Sequence, residues 1–279
     1  MSTPRALIAE AARRLAEAGV PDAAHDAAVL LSHLTGVPPL TLRLDTDTAI
    51  DAAVTEAYRE LIAKRAARTP LQWLTGTQPF LDLDFEVNGD VLIPRPETAM
   101  LAERAIALGT GKPGFRMLDL CCGSGCIAIT AALHLPGADV TACDLSPKAL
   151  LTAQANARRL NANVRFREGD LFDAVDGMSF DLIVSNPPYI PSADCDALQE
   201  EVRMEPRMAL DGGADGLDLY RRIAGEAGGH LTRGGRVLLE VGLGQAEDVS
   251  ALLEQGGSTG IRITDDFAGI PRMVEAVWS

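Results

Sequence analysis

The sequence predicts an α/β protein: a mostly parallel, doubly wound sheet with an antiparallel C-terminal edge, preceded by a small N-terminal helical bundle. Three observations carry this expectation. Residues 3–68 show apolar spacing of helical period, short apolar runs alternate with helical segments after Gly114, and a glycine-rich turn follows the first of those runs. The 279 residues, 47% hydrophobic and 23% charged, suffice for one large domain or for a moderate one with a smaller companion. The boundaries expected are 1–75 for a bundle that docks a substrate, 76–94 for a β-hairpin linker and 95–279 for the catalytic domain.

Leu7, Ala11, Leu15 and Ala18 share a helix face, and Gly19-Val20-Pro21-Asp22 stops that helix and starts the next. The second helix carries Val29, Leu30 and Leu34 before Gly36-Val37-Pro38-Pro39. A third, over about 48–68, buries Val54, Tyr58, Leu61 and Ile62. Phe80, Leu83 and Phe85, then Val91-Leu92-Ile93, bracket Asn88-Gly89, which predicts a hairpin with a type I′ turn there. Pro94-Arg95-Pro96-Glu97-Thr98 then opens a helix.

Strands are expected at 116–120, 139–143, 164–167, 180–185 and 236–241, with helices from Gly125 and Ser146, near 217–231 and near 244–255. A last pair of strands near 260–264 and 272–278 has no helix between them, which makes that edge antiparallel.

Asp119-Leu120-Cys121-Cys122-Gly123-Ser124-Gly125 lies where the first parallel strand turns into a helix, the place where doubly wound sheets bind ligands. Gly123 and Gly125 let backbone approach a ligand, and the helix N-terminus favours an anionic group. Asp144 ends the second strand, 19 residues past Gly125, where a carboxylate can accept both ribose hydroxyls of an adenosine. The stretch from Gly123 to Ala128 also fits the Gly-x-Gly-x-x-Ala form of a dinucleotide fingerprint, so a nicotinamide cofactor stands as an alternative at this point.

The strand over 180–185 delivers Asn186-Pro187-Pro188-Tyr189 to the same edge. An amide or ring amino nitrogen is a poor nucleophile because its lone pair is delocalised. Its two N–H donors can be held by two fixed acceptors, which turns the lone pair toward a methyl donor. The Asn186 side-chain oxygen is one such acceptor and the Pro187 carbonyl the other, on a loop stiffened by Pro188. Tyr189 can pack on the flat face of the acceptor group and beside a sulfonium. Asn186, Pro187 and Tyr189 are therefore the candidate catalytic residues, and residues 186–189 the candidate substrate clamp. Transfer would rest on positioning and electrostatics, without a strong base.

Residues 1–75 hold 8 basic against 9 acidic side chains, and the remaining 17 against 30 leave residues 76–279 at −13. No basic stripe suited to phosphates is present, which argues against duplex DNA as a partner. Five cysteines, at 121, 122, 126, 143 and 195, form no Cys-x-x-Cys pair and have no His at zinc-ligand spacing, so no metal is expected. The apolar runs are too short to span a bilayer, and the N-terminus lacks an apolar h-region. A cytoplasmic monomer with no membrane partner is the expectation.

Taken together, Thr69-Pro-Leu-Gln-Trp-Leu-Thr-Gly76, Val91-Leu-Ile-Pro-Arg-Pro-Glu-Thr98, the glycine loop, Gly169-Asp-Leu-Phe172, Ser185-Asn-Pro-Pro-Tyr-Ile190, Glu205-Pro206, Ala209-Leu-Asp-Gly-Gly213 with Gly216-Leu-Asp-Leu-Tyr220, and Asp266-Phe-Ala-Gly-Ile-Pro-Arg272 resemble the protein-(glutamine-N5) methyltransferase family. The likeness runs from about Thr69 to the C-terminus. It implies a class I S-adenosylmethionine-dependent methyltransferase fold, with S-adenosylmethionine as cofactor and S-adenosylhomocysteine as product. It implies that Asp119, Cys121, Cys122, Gly123, Ser124, Gly125, Asp144 and Asn186 line the cofactor site, with Leu171 near the adenine. The implied substrate is the glutamine of the Gly-Gly-Gln loop in a peptide-chain release factor. Cys121-Cys122 stands where the family usually has Gly-Thr, and Ala99 where it usually has an acidic residue. Rival readings are a ribosomal-protein glutamine, a DNA adenine-N6 or cytosine-N4 position, which requires base flipping, and a non-enzymatic cofactor-binding scaffold.

Overall fold

Thr3 stands at the head of the first helix, α1 (Pro4–Glu17), where its hydroxyl oxygen accepts the Ala6 amide hydrogen at 3.4 Å. In this computed structural model, which describes residues 3–279, the chain falls into two compact units. One takes residues up to 77 together with 199–204. It contains α1, α2 (Ala23–Thr35), α3 (Pro39–Leu44), α4 (Ala52–Ala66), α5 (Leu71–Thr75) and the short helix Glu200–Met204, α9 in chain order. Leu7, Leu15, Leu30, Leu31, Tyr58 and Ile62 fill its core. The Tyr58 hydroxyl donates to the Ala27 carbonyl at 2.8 Å, so its one polar atom is buried with a partner.

The helix expected from 48 begins at Ala52. The Asp45 carboxylate accepts the amides of Asp47 and Thr48 at 3.0 and 2.9 Å, which holds a turn there, and Asp51 caps α4 through Ala53 at 2.7 Å. Val29, Leu34, Val54 and Leu61 are only half-buried. Arg65, itself buried, bridges Asp26 at 2.7 Å and Glu201 at 2.8 Å, and Arg68 reaches Glu201 at 2.5 Å. Burial alone would raise the Glu201 carboxyl, but Arg68, the Glu201 backbone and Arg65 outweigh it and hold the group at about 2.

The second unit opens on a hairpin whose position corrects the sequence reading. Its strands are β1 (Thr77–Phe80) and β2 (Leu83–Glu86), and the chain reverses at Leu81, φ +52. Neither Asn88 nor Gly89 has the positive φ that a type I′ turn requires. The Asn88 side-chain oxygen instead accepts the Asp90 amide at 2.9 Å, folding an Asx turn, and residues 91–93 pair with no strand. Residues 95–98 form successive i→i+3 turns that lead into α6 (Ala99–Gly109), so the helix proper starts after Thr98.

Beyond it come β3 (Arg116–Leu120), α7 (Cys126–His134), β4 (Asp139–Asp144), α8 (Pro147–Leu160), β5 (Arg165–Glu168), β6 (Phe180–Ser185), α10 (Asp218–Glu226), β7 (Leu231–Glu240), α11 (Ala246–Gln255), β8 (Gly260–Asp265) and β9 (Pro271–Val277). The seven strands lie in the order β5-β4-β3-β6-β7-β9-β8, parallel through β7 and antiparallel at β9 and β8. Strand β7 starts earlier than expected, because Leu231 pairs with Phe180 before a register shift.

Strand alternation sorts the core by face. Met117, Leu182 and Leu238 meet Leu101, Ile129 and Leu150 from α6, α7 and α8. Their neighbours Leu118, Ile183 and Leu239 meet Tyr220, Ile223, Val249 and Leu253 from α10 and α11. Both faces are covered, as the continuous apolar strands demand. Strand order reverses between β4-β3 and β6-β7, which opens a crevice at the carboxyl ends of β3, β4 and β6. No helix among the described residues is long and apolar enough to cross a membrane.

Candidate active site

Beyond Leu120 the chain turns through Cys121, Gly123 and Gly125 at φ +58, +53 and +79. A Cβ at Gly125 would lie 2.9 Å from Ile129 Cδ1 and 3.2 Å from Ala153 Cβ, so glycine here permits the close packing of α7 on α8. Gly123 donates its amide to Asp144 Oδ2 at 2.9 Å, and Ser146 donates to Oδ1 at 2.9 Å, which fixes the carboxylate against the loop. Burial raises the Asp144 carboxyl, against the lowering effect of the amides of Ser146, Gly123 and Leu145.

Asp119 is 1% exposed. Its Oδ2 accepts the Ala128 amide at 3.0 Å in the first turn of α7, while Oδ1 has no partner among the described residues. Burial pushes its carboxyl up to about 8, opposed by the Ala128 amide and aided by Asp144. Burial likewise raises the thiols of Cys121, Cys122, Cys126 and Cys143, so these side chains act as small apolar groups rather than nucleophiles.

A cavity of about 430 Å³ opens at the crevice. It brings together Cys121, Asp144, Leu171, Asn186 and Pro188 of the residues expected from sequence. Asp119, Cys122, Ser124 and Gly125 are buried outside its lining, and Gly123, Pro187 and Tyr189 also lie outside it. The lining carries Asp90, Asp144, Asp170, Asp211 and Asp218 against one cation, Arg222, and that guanidinium is bridged to Asp170 at 3.0 Å. Such a cavity favours a cationic occupant and repels a pyrophosphate.

At the end of β6 the Ser185 hydroxyl donates to the Leu120 carbonyl at 2.7 Å, tying the two strand ends together. Half-buried Asn186 follows, and its Nδ2 donates to Thr98 Oγ1 at 3.1 Å. Pro187 and Pro188 are buried, and among the described residues the Pro187 carbonyl accepts no hydrogen bond. The Tyr189 carbonyl accepts from Gln245 Nε2 at 2.9 Å, and its hydroxyl lies 3.5 Å from Glu240 Oε1. Ile190 and Gly212 exchange backbone bonds with residues 210 and 190, and a Cβ at Gly212 would stand 2.7 Å from the Pro188 carbonyl oxygen. That glycine lets the second loop press against the first.

Burial, then the Glu240 charge, pushes the Tyr189 hydroxyl up to about 12, so it stays protonated at neutral pH. Burial pushes Glu240 up to about 7 against the lowering effect of Thr98. Its Oε2 has no partner among the described residues.

Sequence reading gave no role to Thr98 or Glu205, though both lie in the segments that carry the resemblance, and did not single out Glu240 or Gln245. Buried Glu205 accepts the Ile93 amide at 2.9 Å and Arg95 Nη2 at 2.5 Å, holding the segment that presents Thr98. The available signals were Thr98 and Glu205 within shared segments, and a carboxylate closing the apolar run 237–240.

A family model described as the PrmC N-terminal domain matches residues 6–76, and one described as the methyltransferase small domain matches residues 101–214. A release factor glutamine methyltransferase from Geobacter sulfurreducens is 45% identical over 93% of this chain and 91% of its own. Another, from Moorella thermoacetica, is 42% identical over 97% and 96%. A methyltransferase structure from Pyrococcus furiosus, 20% identical, covers 78% of this chain and 96% of its own with a TM-score of 0.53, which bears on the fold. With relatives matching over nearly the whole length of both chains, this chain belongs to the release factor glutamine methyltransferase family.

Proposed function

We propose that this chain transfers the methyl group of S-adenosylmethionine to the side-chain amide nitrogen of the glutamine in the Gly-Gly-Gln loop of a peptide-chain release factor. One observation carries the reading. Asn186 spends its NH₂ on Thr98, which leaves Oδ1 and the unpaired Pro187 carbonyl as two adjacent acceptors beside an acidic cavity. Two acceptors match the two N–H donors of a primary amide and hold its plane.

The residues present fit the cofactor. Asp144 has lone pairs left for ribose hydroxyls beyond the two amides it accepts, Leu171 offers an apolar wall, and the five lining aspartates suit a positive sulfonium and ammonium. When bound, the cofactor supplies an electrophilic methyl group. Asn186 and Pro187 orient the amide, and Tyr189 packs against its flat face. Tyr189 is held protonated, so the amide proton leaves to solvent rather than to that hydroxyl. The acidic lining also argues against the dinucleotide alternative, whose pyrophosphate would meet carboxylates.

The names of the relatives support the acceptor, as does the −13 charge of residues 76–279, which disfavours a polyanion. Radiolabelled S-adenosylmethionine tests it. Label is expected in purified release factor, and not in a Gln→Ala variant of its Gly-Gly-Gln loop. Label in duplex DNA with none in the release factor would overturn the reading.

A further inference from the structure

The segment Asp266-Phe-Ala-Gly-Ile-Pro-Arg272 is used by neither the clamp nor the cavity. Its Phe267 is 106% exposed, whereas the other six phenylalanines are buried or half-buried. Leu243, just past β7, is 75% exposed. Neither side chain sits on a slack loop. The Asp266 carboxylate accepts the amides of Ala268 at 2.8 Å and Ile270 at 3.0 Å, and Arg272 on β9 donates to it at 3.4 Å. Gln245 fixes the other turn. Its Oε1 accepts the Gly242 amide at 2.9 Å, and its Nε2 donates to the Tyr189 carbonyl at 2.9 Å. The Val241 amide donates to the Arg272 carbonyl at 2.9 Å, which joins the two loops. A lone exposed apolar residue needs no explanation, but two on pinned loops, tied to each other and to residue 189, call for one.

Their place along the sheet edge decides what they meet. The strand order is β5-β4-β3-β6-β7-β9-β8, and Cys121, Asp144 and Gly169 line the cavity at the ends of β3, β4 and β5. Asn186 and Pro187 follow β6. A cofactor in the cavity closes the β3 side, so chain flanking a clamped amide runs over the ends of β7 and β9. Neighbouring strands about 4.8 Å apart put the Leu243 and Phe267 loops roughly 5 and 10 Å from the clamp along that edge. Two glycines offer flat peptide faces and Cα hydrogens without side chains, which large apolar groups can cover without clash. We propose that Leu243 and Phe267 form the docking surface for the main chain of the two glycines in the Gly-Gly-Gln loop, seating the glutamine amide on the clamp. This rests on the methyl-transfer function proposed above.

Both side chains are exposed, so Leu243→Ser and Phe267→Ser are expected to melt as wild type does. Each should raise the Kd for release factor, measured by anisotropy with S-adenosylhomocysteine present, about tenfold. KM for release factor should rise in parallel, while Kd for S-adenosylhomocysteine stays as in wild type. Leu151→Ser, which alters a 65% exposed leucine on α8, should leave release-factor binding unchanged. Wild-type Kd in the Leu243/Phe267 double variant, or an equal loss in Leu151→Ser, overturns the proposal. A release factor with both glycines replaced by alanine tests the occupant. Its Cβ atoms hold the main chain off the surface, so Phe267→Ser should cost it less than about twofold; the same tenfold cost places the contact elsewhere and overturns the proposal. Sedimentation without release factor should give wild type and double variant the same mass. A wild-type dimer that the double variant breaks assigns the surface to a second copy of this chain and overturns it too. If wild type binds release factor without methylating it, the acceptor assignment falls and the Kd series alone decides the docking surface.

Discussion

Asn186 uses its two ends differently: the NH₂ donates to Thr98, while the oxygen accepts from no described residue. Removing the side chain beyond Cβ should therefore damage turnover rather than cofactor binding. Asn186→Ala is expected to lower kcat about 100-fold, the usual cost of losing one preorganised polar group, while calorimetry shows cofactor affinity nearly unchanged. A parallel loss of cofactor affinity would place Asn186 in the cofactor site instead. Asn186 and Pro187 were legible as candidate acceptors because Asn-Pro-Pro-Tyr follows a buried strand. Thr98 was not legible as their support, since it is 88 residues away in sequence and meets Asn186 only through tertiary folding. Asp119 interrupts an apolar strand run and Glu240 closes one, yet the burial that raises their carboxyls depends on helices packed from both faces.

At the scale of elements, α8 links the hairpin to the glycine loop. Asn156 on α8 is fully buried, its Oδ1 accepts the Glu86 amide at 2.8 Å, and its Nδ2 donates to the carbonyls of Glu86 at 3.0 Å and Ser124 at 3.1 Å. Asn156→Ala leaves three backbone groups without partners, which costs about 2–4 kcal/mol and lowers the melting temperature by roughly 5–10 °C. Cofactor affinity should fall with it, because Ser124 loses its anchor. Unchanged melting by calorimetry would contradict this linkage. The same hairpin shows where local signals mislead. Asn88-Gly89 has the composition of a type I′ turn, but the Asn88 side chain bonds the Asp90 amide and its Nδ2 donates to Thr152 at 3.1 Å. A contact with α8, 64 residues on, thus competes with the local preference. The parallel strands were legible because continuous apolar runs between helices admit little else, and β3, β6 and β9 fall within a residue or two of expectation.

Across the whole molecule, alternation of strand and helix made the parallel sheet readable, but not the placing of β6 beside β3. That pairing joins residues more than sixty apart and depends on crossovers that carry no local signature. The cavity follows from it. Asp90, Asp144, Asp170, Asp211 and Asp218 are scattered along the chain and converge only when strand ends and loops meet at the crevice. Net charge showed that residues 76–279 are acidic; folding concentrates some of that charge where a cationic cofactor fits. The clamp proposed for Asn186 and Pro187 and the acidic cavity together support methylation of a protein amide. Tandem mass spectrometry of a release factor incubated with this chain and S-adenosylmethionine tests that most directly. A single methyl group on the side-chain nitrogen of the Gly-Gly-Gln glutamine is expected, and a release factor left unmodified, or methylated elsewhere, would contradict it.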